Sequence, residues 1–285
     1  MTIQERVAAA RHTLCGAGIG ANEAELSART LAQHVLEWDT ARYFTASNEP
    51  EPSAFAQRYD ALIARRAARE PTAYITGRQE FWNLLFEVSP AVLIPRPETE
   101  LIVEAALERF GADRARSLAV ADVGTGCGCL AIALAREFPC ARVVATDISD
   151  AALDVARRNA ERHGVAGRVG FLRTNVLDGV HQAFDLIVAN PPYVRQGDRP
   201  ALQLEVREHE PSVALFGGET GFDLVAAFVG QAAGRLQPGG YVMFEFGFGQ
   251  DGSVEELIAG TPGLAMAGLR RDLQGIARTA IAKRI

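Results

Sequence analysis

Residues 118–128 read LAVADVGTGCG, an apolar run that ends in a loop of alternating glycines. The run predicts a buried strand, and a helix is predicted to begin directly after the loop, at Cys129. Glycines in such a loop let the backbone turn tightly and approach a ligand closely. The stretch therefore predicts a strand–loop–helix unit with a candidate ligand site at the carboxyl end of the strand.

The rest of the chain after Ser117 alternates strands with helices. Strands are predicted at 118–123, 142–146, 168–172, 185–189, 241–246, 264–269 and 277–282. Helices are predicted at 129–138, 149–163, 221–236 and 253–258. Such alternation predicts an α/β fold, with a doubly wound, mostly parallel, Rossmann-like sheet of seven strands and right-handed crossovers.

The first part of the chain has a different pattern. Residues 2–70 contain no convincing strand, and apolar residues at three- and four-residue steps predict a small helical bundle. Residues 81–88 are aromatic and β-prone, and Ser89-Pro90 is predicted to turn them into a β-hairpin. We therefore expect a helical domain at 1–74, a hairpin linker at 75–96 and an α/β domain at 97–285. The bundle could recognise a substrate or serve as a structural cap.

Composition excludes several classes of protein. Of the 285 residues 48% are hydrophobic, and no apolar run approaches the ~18 residues that span a bilayer. No secretory signal is visible, and the spacing of the four cysteines matches no zinc site, so a cytoplasmic protein with reduced thiols and no metal is expected. The net charge of −6 and the lack of a basic run argue against duplex nucleic acid as a partner.

Two acidic residues reduce the number of ligands that the glycine loop could bind. Asp147 ends the strand after the loop, where a carboxylate can accept hydrogen bonds from ribose hydroxyls. The loop lacks both the dinucleotide spacing and the lysine of triphosphate loops. Asp122, beside the loop, suits a cationic or zwitterionic ligand. S-adenosylmethionine carries an ammonium, a sulfonium and a ribose, and it fits these demands. The alternative interpretation is that both acids lie at strand ends without binding a ligand.

A second motif, FDLIVANPPY, occupies residues 184–193. The apolar part predicts a buried strand that two prolines terminate, leaving carbonyl groups free to face a ligand. The Asn190 side-chain oxygen and the Pro191 carbonyl can only accept, so together they can hold the two N–H groups of a planar amine. Tyr193 offers a ring on which the planar group could stack. Since a plain Pro191-Pro192 turn explains neither flanking residue, we predict methyl transfer to a planar nitrogen.

Several stretches carry a resemblance to a known family. They are EPTAYITG at 70–77, EFW at 80–82, LIPRPETE at 93–100, the glycine loop, NPPY at 190–193, Glu210-Pro211, GETGFD at 218–223, and EFG at 245–247 with Gln250. In these stretches the chain resembles the HemK-type glutamine N5-methyltransferases. The PRPETE stretch resembles the members that modify bacterial release factors, whereas relatives acting on a ribosomal protein differ there. Residues 1–69 resemble the family's helical domain in pattern.

The resemblance implies a site and a substrate. It implies an S-adenosylmethionine site formed by Asp122, Gly124, Thr125, Gly126, Cys127, Gly128, Asp147 and Asn190. The family often has an aspartate followed by an aromatic residue beside the adenine; this chain departs from that pattern with Asn175 and Val176, which are expected to bond the adenine amine and to pack on its ring. Asn190, Pro191, Pro192 and Tyr193 would hold the substrate glutamine, with Asn190, Pro191 and Tyr193 catalytic. The implied partner is the Gly-Gly-Gln loop of a release factor in translation termination, and a monomer is expected. Alternatives are a ribosomal-protein glutamine methyltransferase, an adenine N6-methyltransferase and a nucleoside-binding regulator without catalysis.

Overall fold

The structure is a computed structural model that describes residues 1–285. The helices are α1 (Ile3–Gly16), α2 (Ala21–Leu36), α3 (Thr40–Ala46), α4 (Phe55–Ala67), α5 (Thr72–Thr76), α6 (Glu100–Phe110), α7 (Cys129–Glu137), α8 (Asp150–Arg162), α9 (Leu204–His209), α10 (Asp223–Ala233) and α11 (Asp251–Gly260). The strands are β1 (Arg78–Phe81), β2 (Leu84–Glu87), β3 (Ala119–Val123), β4 (Arg142–Asp147), β5 (Val169–Arg173), β6 (Phe184–Ala189), β7 (Leu236–Glu245), β8 (Leu264–Arg271) and β9 (Ala277–Arg284). None of the helices combines the length and apolarity needed to cross a membrane.

The chain separates into two compact units. One contains Met1–Arg78 together with Gln203–His209, and the other contains Gln79–Leu202 and Glu210–Ile285. The first unit is therefore helical, and the second contains the seven-stranded sheet. The inclusion of α9 in the helical unit was not predicted from the sequence. The boundaries drawn there, at 1–74, 75–96 and 97–285, stay a prediction.

The helical unit has an apolar core and one buried cation. Leu14, Leu31 and Tyr59 are fully buried between α1, α2 and α4. The side chain of Arg66 is 1% exposed and donates hydrogen bonds to Glu23 at 2.6 Å and Glu205 at 3.0 Å. Because a buried guanidinium is costly without partners, Glu23 ties α2 and Glu205 ties α9 to α4 within the unit.

The β1–β2 hairpin turns at a different place from the one predicted. Trp82 and Asn83 form the turn, both in the left-handed region with φ of 52° and 54°, as in the type I′ hairpin turn. Ser89-Pro90 follows the second strand, so the predicted turn position was wrong. Tryptophan rarely adopts this conformation, and here Glu100 accepts from its backbone N–H at 2.7 Å and Glu137 from its indole N–H at 2.8 Å. Those two contacts, distant in sequence, hold the turn.

The sheet has the order β5-β4-β3-β6-β7-β9-β8. Neighbours from β5 to β7 are parallel, and β9 runs antiparallel to both β7 and β8. This confirms the predicted doubly wound, mostly parallel sheet of seven strands. Leu186, Ile187 and Val188 of β6 are fully buried, as expected for a central parallel strand covered on both faces.

Candidate functional site

The two predicted motifs lie side by side at the carboxyl edge of the sheet. The chain runs outward from β3 through β4 to β5 and then returns to place β6 on the other side of β3. Val123 at the end of β3 pairs with Ala189 at the end of β6, so Gly124 and Asn190 follow neighbouring strand ends. Ligands of doubly wound sheets bind where the strand order reverses in this way. The fold thus brings the glycine loop and the Asn-Pro-Pro-Tyr segment to one crevice.

The glycine loop is held against β4 by two hydrogen bonds that its backbone N–H groups donate. The Thr125 N–H donates to the Thr146 carbonyl at 2.8 Å, and the Gly126 N–H donates to Asp147 Oδ2 at 2.9 Å. Gly128 precedes α7 with φ of 85°, and a Cβ there would lie 3.1 Å from the side chains of Ala156 and Ile132. Only glycine combines that backbone conformation with so little space.

Asp122 has one oxygen without a partner. Its Oδ2 accepts from the Thr125 hydroxyl at 2.6 Å and from the Ala131 N–H at 3.0 Å, whereas Oδ1 is buried and makes no hydrogen bond. Burial raises the pKa of Asp122 to about 6, against the effect of the Thr125 and Ala131 bonds and with a small contribution from the charge of Asp147. A buried acceptor left unpaired beside a pocket is a place where a ligand donor would be stabilised.

Asp147 and the two residues assigned to an adenine line the same pocket. The Asp147 carboxylate is held by the Gly126 N–H on one oxygen and by the Ser149 N–H, at 2.9 Å, on the other. Since each carboxylate oxygen can accept more than one hydrogen bond, both retain acceptor capacity. Val176 adopts a left-handed φ of 53°, and its carbonyl accepts from the Thr146 hydroxyl at 2.8 Å. Asn175 lies beside it on the pocket wall.

The Asn190 side chain belongs to a linked set of hydrogen bonds. Asn190 Nδ2 donates to Thr99 Oγ1 at 3.0 Å, and the Thr99 hydroxyl donates to Glu245 Oε2 at 2.6 Å. The Tyr193 hydroxyl donates to the other oxygen of Glu245 at 2.9 Å. Burial raises the pKa of Glu245, opposed by the donors Thr99 and Tyr193. Burial, reinforced by the charge of Glu245, also raises the pKa of Tyr193.

The loop after α9 supports the Asn-Pro-Pro-Tyr segment from behind. Gly217 donates its N–H to the Val194 carbonyl at 2.9 Å. A Cβ at Gly217 would lie 2.4 Å from the carbonyl oxygen of Pro192, closer than any real contact allows, so a side chain there would displace the segment. Gln250 donates to the Tyr193 carbonyl at 3.3 Å. These contacts fix the backbone whose carbonyl groups were predicted to face a substrate.

A buried ion pair fixes part of the pocket rim. Glu210, whose side chain is 1% exposed, accepts from Arg96 at 2.5 Å and from the Ile94 N–H at 3.3 Å. Pro95 and Pro211, the neighbours of these residues, line the pocket. The pair therefore holds together two segments, distant in the chain, that both contribute to the pocket lining.

The pocket brings together most of the predicted site residues. The predicted residues that line it are Asp122, Gly124, Thr125, Gly126, Cys127, Asp147, Asn175, Val176, Asn190, Pro191 and Pro192. Gly128 and Tyr193 do not line it: Gly128 caps α7, and the Tyr193 hydroxyl contacts Glu245. No group of three or more histidine, cysteine or acidic side chains is arranged to hold a metal ion.

Comparisons with known proteins agree with this arrangement. Residues 5–77 match the model of the PrmC N-terminal domain, and residues 99–207 match that of the methyltransferase small domain. The release factor glutamine methyltransferase of Bradyrhizobium diazoefficiens is 42% identical over 264 residues, which cover 92% of this chain and 89% of that protein. The chain belongs to the release factor glutamine methyltransferase family. The family predicted from the motifs is thereby confirmed.

One further family member and one solved structure from outside the family are also similar to the chain. The release factor glutamine methyltransferase of Cereibacter sphaeroides is 40% identical and covers 96% of both chains. Among solved structures, a ribosomal protein L11 methylase from Lactobacillus delbrueckii subsp. bulgaricus is 26% identical, with a TM-score of 0.50 over 66% of this chain and 80% of that one. The 40–42% identity to release factor enzymes extends over nearly the full chain, whereas the 26% identity to the ribosomal protein methylase extends over two thirds of it. The comparison therefore favours a release factor as substrate over a ribosomal protein.

Sequence reasoning assigned no role to two residues of the site. Thr99 lines the pocket and Glu245 lies behind it, each 2% exposed, and both are linked to Asn190. Thr99 lies in the PRPETE stretch, before a helix, whereas Glu245 lies near the end of the strand predicted at 241–246; its place at a strand end was the available signal. Ile148 and Val213, apolar side chains that line the pocket although 52% and 56% exposed, were also missed.

Proposed function

We propose that this protein transfers a methyl group from S-adenosylmethionine to the side-chain amide nitrogen of the glutamine in the Gly-Gly-Gln loop of bacterial peptide chain release factors. The observation that carries the proposal is the pairing of family membership over nearly the whole chain with Asn190 and the glycine loop on neighbouring strand ends. Family membership supports the reaction, and the geometry supports the assignment of residues to it.

The residues present fit the cofactor. The unpaired Oδ1 of Asp122 would accept from the ammonium group, a donor for which the protein supplies no substitute. Asp147 would accept from the ribose hydroxyls, residues 124–128 would follow the cofactor backbone, and Asn175 and Val176 would contact the adenine. When bound, S-adenosylmethionine supplies a methyl group that its sulfonium already activates. The protein is then left with positioning and charge stabilisation.

Asn190 and Pro191 would hold the acceptor amide. The nitrogen lone pair of a glutamine amide is delocalised, and accepting both N–H groups favours a tetrahedral nitrogen. Asn190 Oδ1 and the Pro191 carbonyl are acceptors suited to this, and they stabilise the positive charge that develops on the nitrogen. The stacking face proposed for Tyr193 stays a prediction.

The side chains that line the pocket determine whether a base is available for the proton that the amide nitrogen loses. Apart from Asp122 and Asp147, assigned to the cofactor, its only titratable side chains are Cys127 and Cys129. A hydrogen bond with Cys127, together with burial, raises the pKa of Cys129, so this thiol is a poor base. A neutral amide gains charge during methyl transfer and becomes strongly acidic, so its proton can leave afterwards without a positioned general base.

The finer parts of the proposal concern partners. We propose that the helical domain recognises the body of the release factor while residues 97–285 perform the chemistry. We further propose that the protein acts in the cytoplasm as a monomer and does not bind duplex nucleic acid. The net charge of −6 supports the absence of duplex nucleic acid as a partner, because proteins that bind nucleic acid usually have basic surfaces.

Transfer of label from methyl-labelled cofactor tests the substrate class. Purified release factor, ribosomal protein and adenine-containing DNA would be offered separately and then in competition. We expect label in the release factor and none in a release factor whose loop glutamine is replaced by alanine. Preferential labelling of DNA or of the ribosomal protein would contradict the proposal, and a protein that binds cofactor but labels nothing would be a regulator.

A further inference from the structure

Three side chains behind Asn190 form a chain of hydrogen bonds in which the direction of each bond is determined. Asn190 contacts Thr99, Thr99 contacts Glu245, and Tyr193 contacts the second oxygen of Glu245. Thr99 and Glu245 are each 2% exposed, so water does not substitute for these partners. The residues come from the turn before α6, the end of β7 and the segment after β6.

The direction follows from counting hydrogens. The two hydroxyl donors, Thr99 and Tyr193, favour the ionised form of Glu245, which only accepts, and a threonine hydroxyl has one hydrogen. The hydroxyl hydrogen of Thr99 is donated to Glu245 at 2.6 Å, so its oxygen can only accept from Asn190. Asn190 must therefore present its NH2 group to Thr99. Its Oδ1, on the other side of the amide, is left for the pocket that Asn190 lines.

This orientation matters because the two ends of an asparagine amide have opposite hydrogen-bonding character. With Oδ1 toward the pocket, Asn190 accepts an N–H of the substrate amide. With the amide flipped by half a turn, an NH2 group would face the NH2 group of the substrate, and the two donors would repel. Without Thr99 and Glu245, no contact on the inner side of Asn190 selects the productive orientation.

We propose that Thr99, Glu245 and Tyr193 are positioning residues that lock the Asn190 amide with Oδ1 toward the acceptor nitrogen, an inference that rests on the proposed function. Thr99 and Tyr193 anchor to one buried carboxylate, and the carboxylate sets the orientation through Thr99. None of the three needs to act as acid or base.

The test replaces one hydroxyl with a methyl group at two buried positions. Thr99→Val removes the acceptor of Asn190 and keeps the shape of the side chain. Thr279→Val is the matched control, because Thr279 is fully buried on β9, pairs directly with Glu245 across the sheet, and has a hydroxyl without a hydrogen-bond partner. Thr99→Ser restores the hydroxyl alone. Single-turnover methylation of release factor, cofactor Kd and Tm would be measured for each.

We expect Thr99→Val to slow methylation about ten- to hundredfold, the range of one lost hydrogen bond to a charge-stabilising group, with cofactor Kd within about twofold. Thr99→Ser should recover to within about threefold of the unmodified protein, and Thr279→Val should match it throughout. Tyr193→Phe, which removes one donor to Glu245, should slow methylation less than Thr99→Val and carries the test if that variant does not fold.

The outcomes separate the two proposals. If the unmodified protein binds cofactor but does not methylate release factor, the proposed function fails and the positioning inference falls with it. If the unmodified protein is active and a folded Thr99→Val is equally fast, only the positioning inference is overturned. Equal losses in Thr99→Val and Thr279→Val would also overturn it, because a general packing effect would then explain both.

Discussion

Two buried carboxylates at the carboxyl edge of one sheet differ in what completes their hydrogen bonding. Asp122, on β3, has an oxygen with no partner in the protein. Glu245, at the end of β7, has both oxygens occupied by the hydroxyls of Thr99 and Tyr193. Both are 1–2% exposed, and burial raises the pKa of both. The unsatisfied acid is suited to receive a ligand, whereas the satisfied one is suited to hold protein groups in place.

With the proposed function, this difference divides the pocket into a proposed cofactor side and a proposed acceptor side. The cofactor side is formed by the ends of β3 and β4, with Asp122 and Asp147. The acceptor side is formed by the segment after β6, with Asn190 and its supports. If the division is real, substitutions on the two sides should affect different measurable quantities.

The largest effect is expected on the acceptor side. Asn190→Ala should lower kcat by about 10²–10³-fold, the loss of about 3–4 kcal/mol for one oriented charge-stabilising contact. Its Kd for S-adenosylmethionine, measured by calorimetry, should stay within about tenfold. Asn175→Ala in the same pocket is the matched comparison and should weaken the cofactor while sparing the rate at saturation. Near-normal turnover of Asn190→Ala would remove the acceptor side from the account.

The cofactor side should show the reverse pattern. Asp147→Ala removes a charged acceptor and should raise the cofactor Kd about ten- to hundredfold. With saturating cofactor, its kcat should remain within about threefold of the unmodified protein. Asp150→Ala, at a nearby aspartate whose side chain is 64% exposed and pairs with Arg173, is the control and should change neither quantity. A loss confined to kcat in Asp147→Ala would contradict the division.

A smaller effect is expected from pH. The carboxylate of Asp122 must be ionised to accept an ammonium group, and its pKa in the free protein is raised to about 6. Cofactor affinity should therefore fall as pH drops through about 6, by at most about tenfold per pH unit. Asp122→Asn should bind more weakly at neutral pH and lose this pH dependence. Calorimetry between about pH 5 and pH 8 would measure both, and identical profiles would contradict the role of Asp122.

The smallest effect concerns stability of the free protein. Because folding raises the pKa of Asp122 from 3.8 to about 6, the stability linked to its protonated form is present at low pH and lost as pH rises through 6. Asp122→Asn removes that titration. At about pH 7.5 the variant should have a Tm a few degrees higher, and the difference should shrink at acidic pH. A lower Tm at neutral pH would show that the ionised acid stabilises the fold.

Local sequence patterns were a better guide to the residues of the proposed cofactor side than to those of the proposed acceptor side. The glycine loop, Asp122 and Asp147 follow short apolar runs, and strand order places them together by a general rule. The supports of Asn190 could not be found in this way, because Thr99 and Asn190 are 91 residues apart and Thr99 and Glu245 are 146 apart. Nothing in the sequence around any one of them signals the other two.

The hairpin turn shows the same limit. Ser89-Pro90 carries a local turn signal, but Trp82 and Asn83 make the turn because Glu100 and Glu137 hold it from helices far along the chain. Likewise, α9 joins the helical unit through Glu205 and Arg66, whose partners are set by tertiary structure. Element types followed from periodicity, whereas these contacts depended on the assembled fold.

The central claim is that the pocket delivers a methyl group to one glutamine amide. Tandem mass spectrometry of a release factor, after incubation with this protein and S-adenosylmethionine, tests it most directly. The account predicts a single added methyl group, located on the side-chain nitrogen of the glutamine in the Gly-Gly-Gln loop and absent when Asn190 is replaced by alanine. A methyl group on another residue, or the same modification by Asn190→Ala at an undiminished rate, would contradict it.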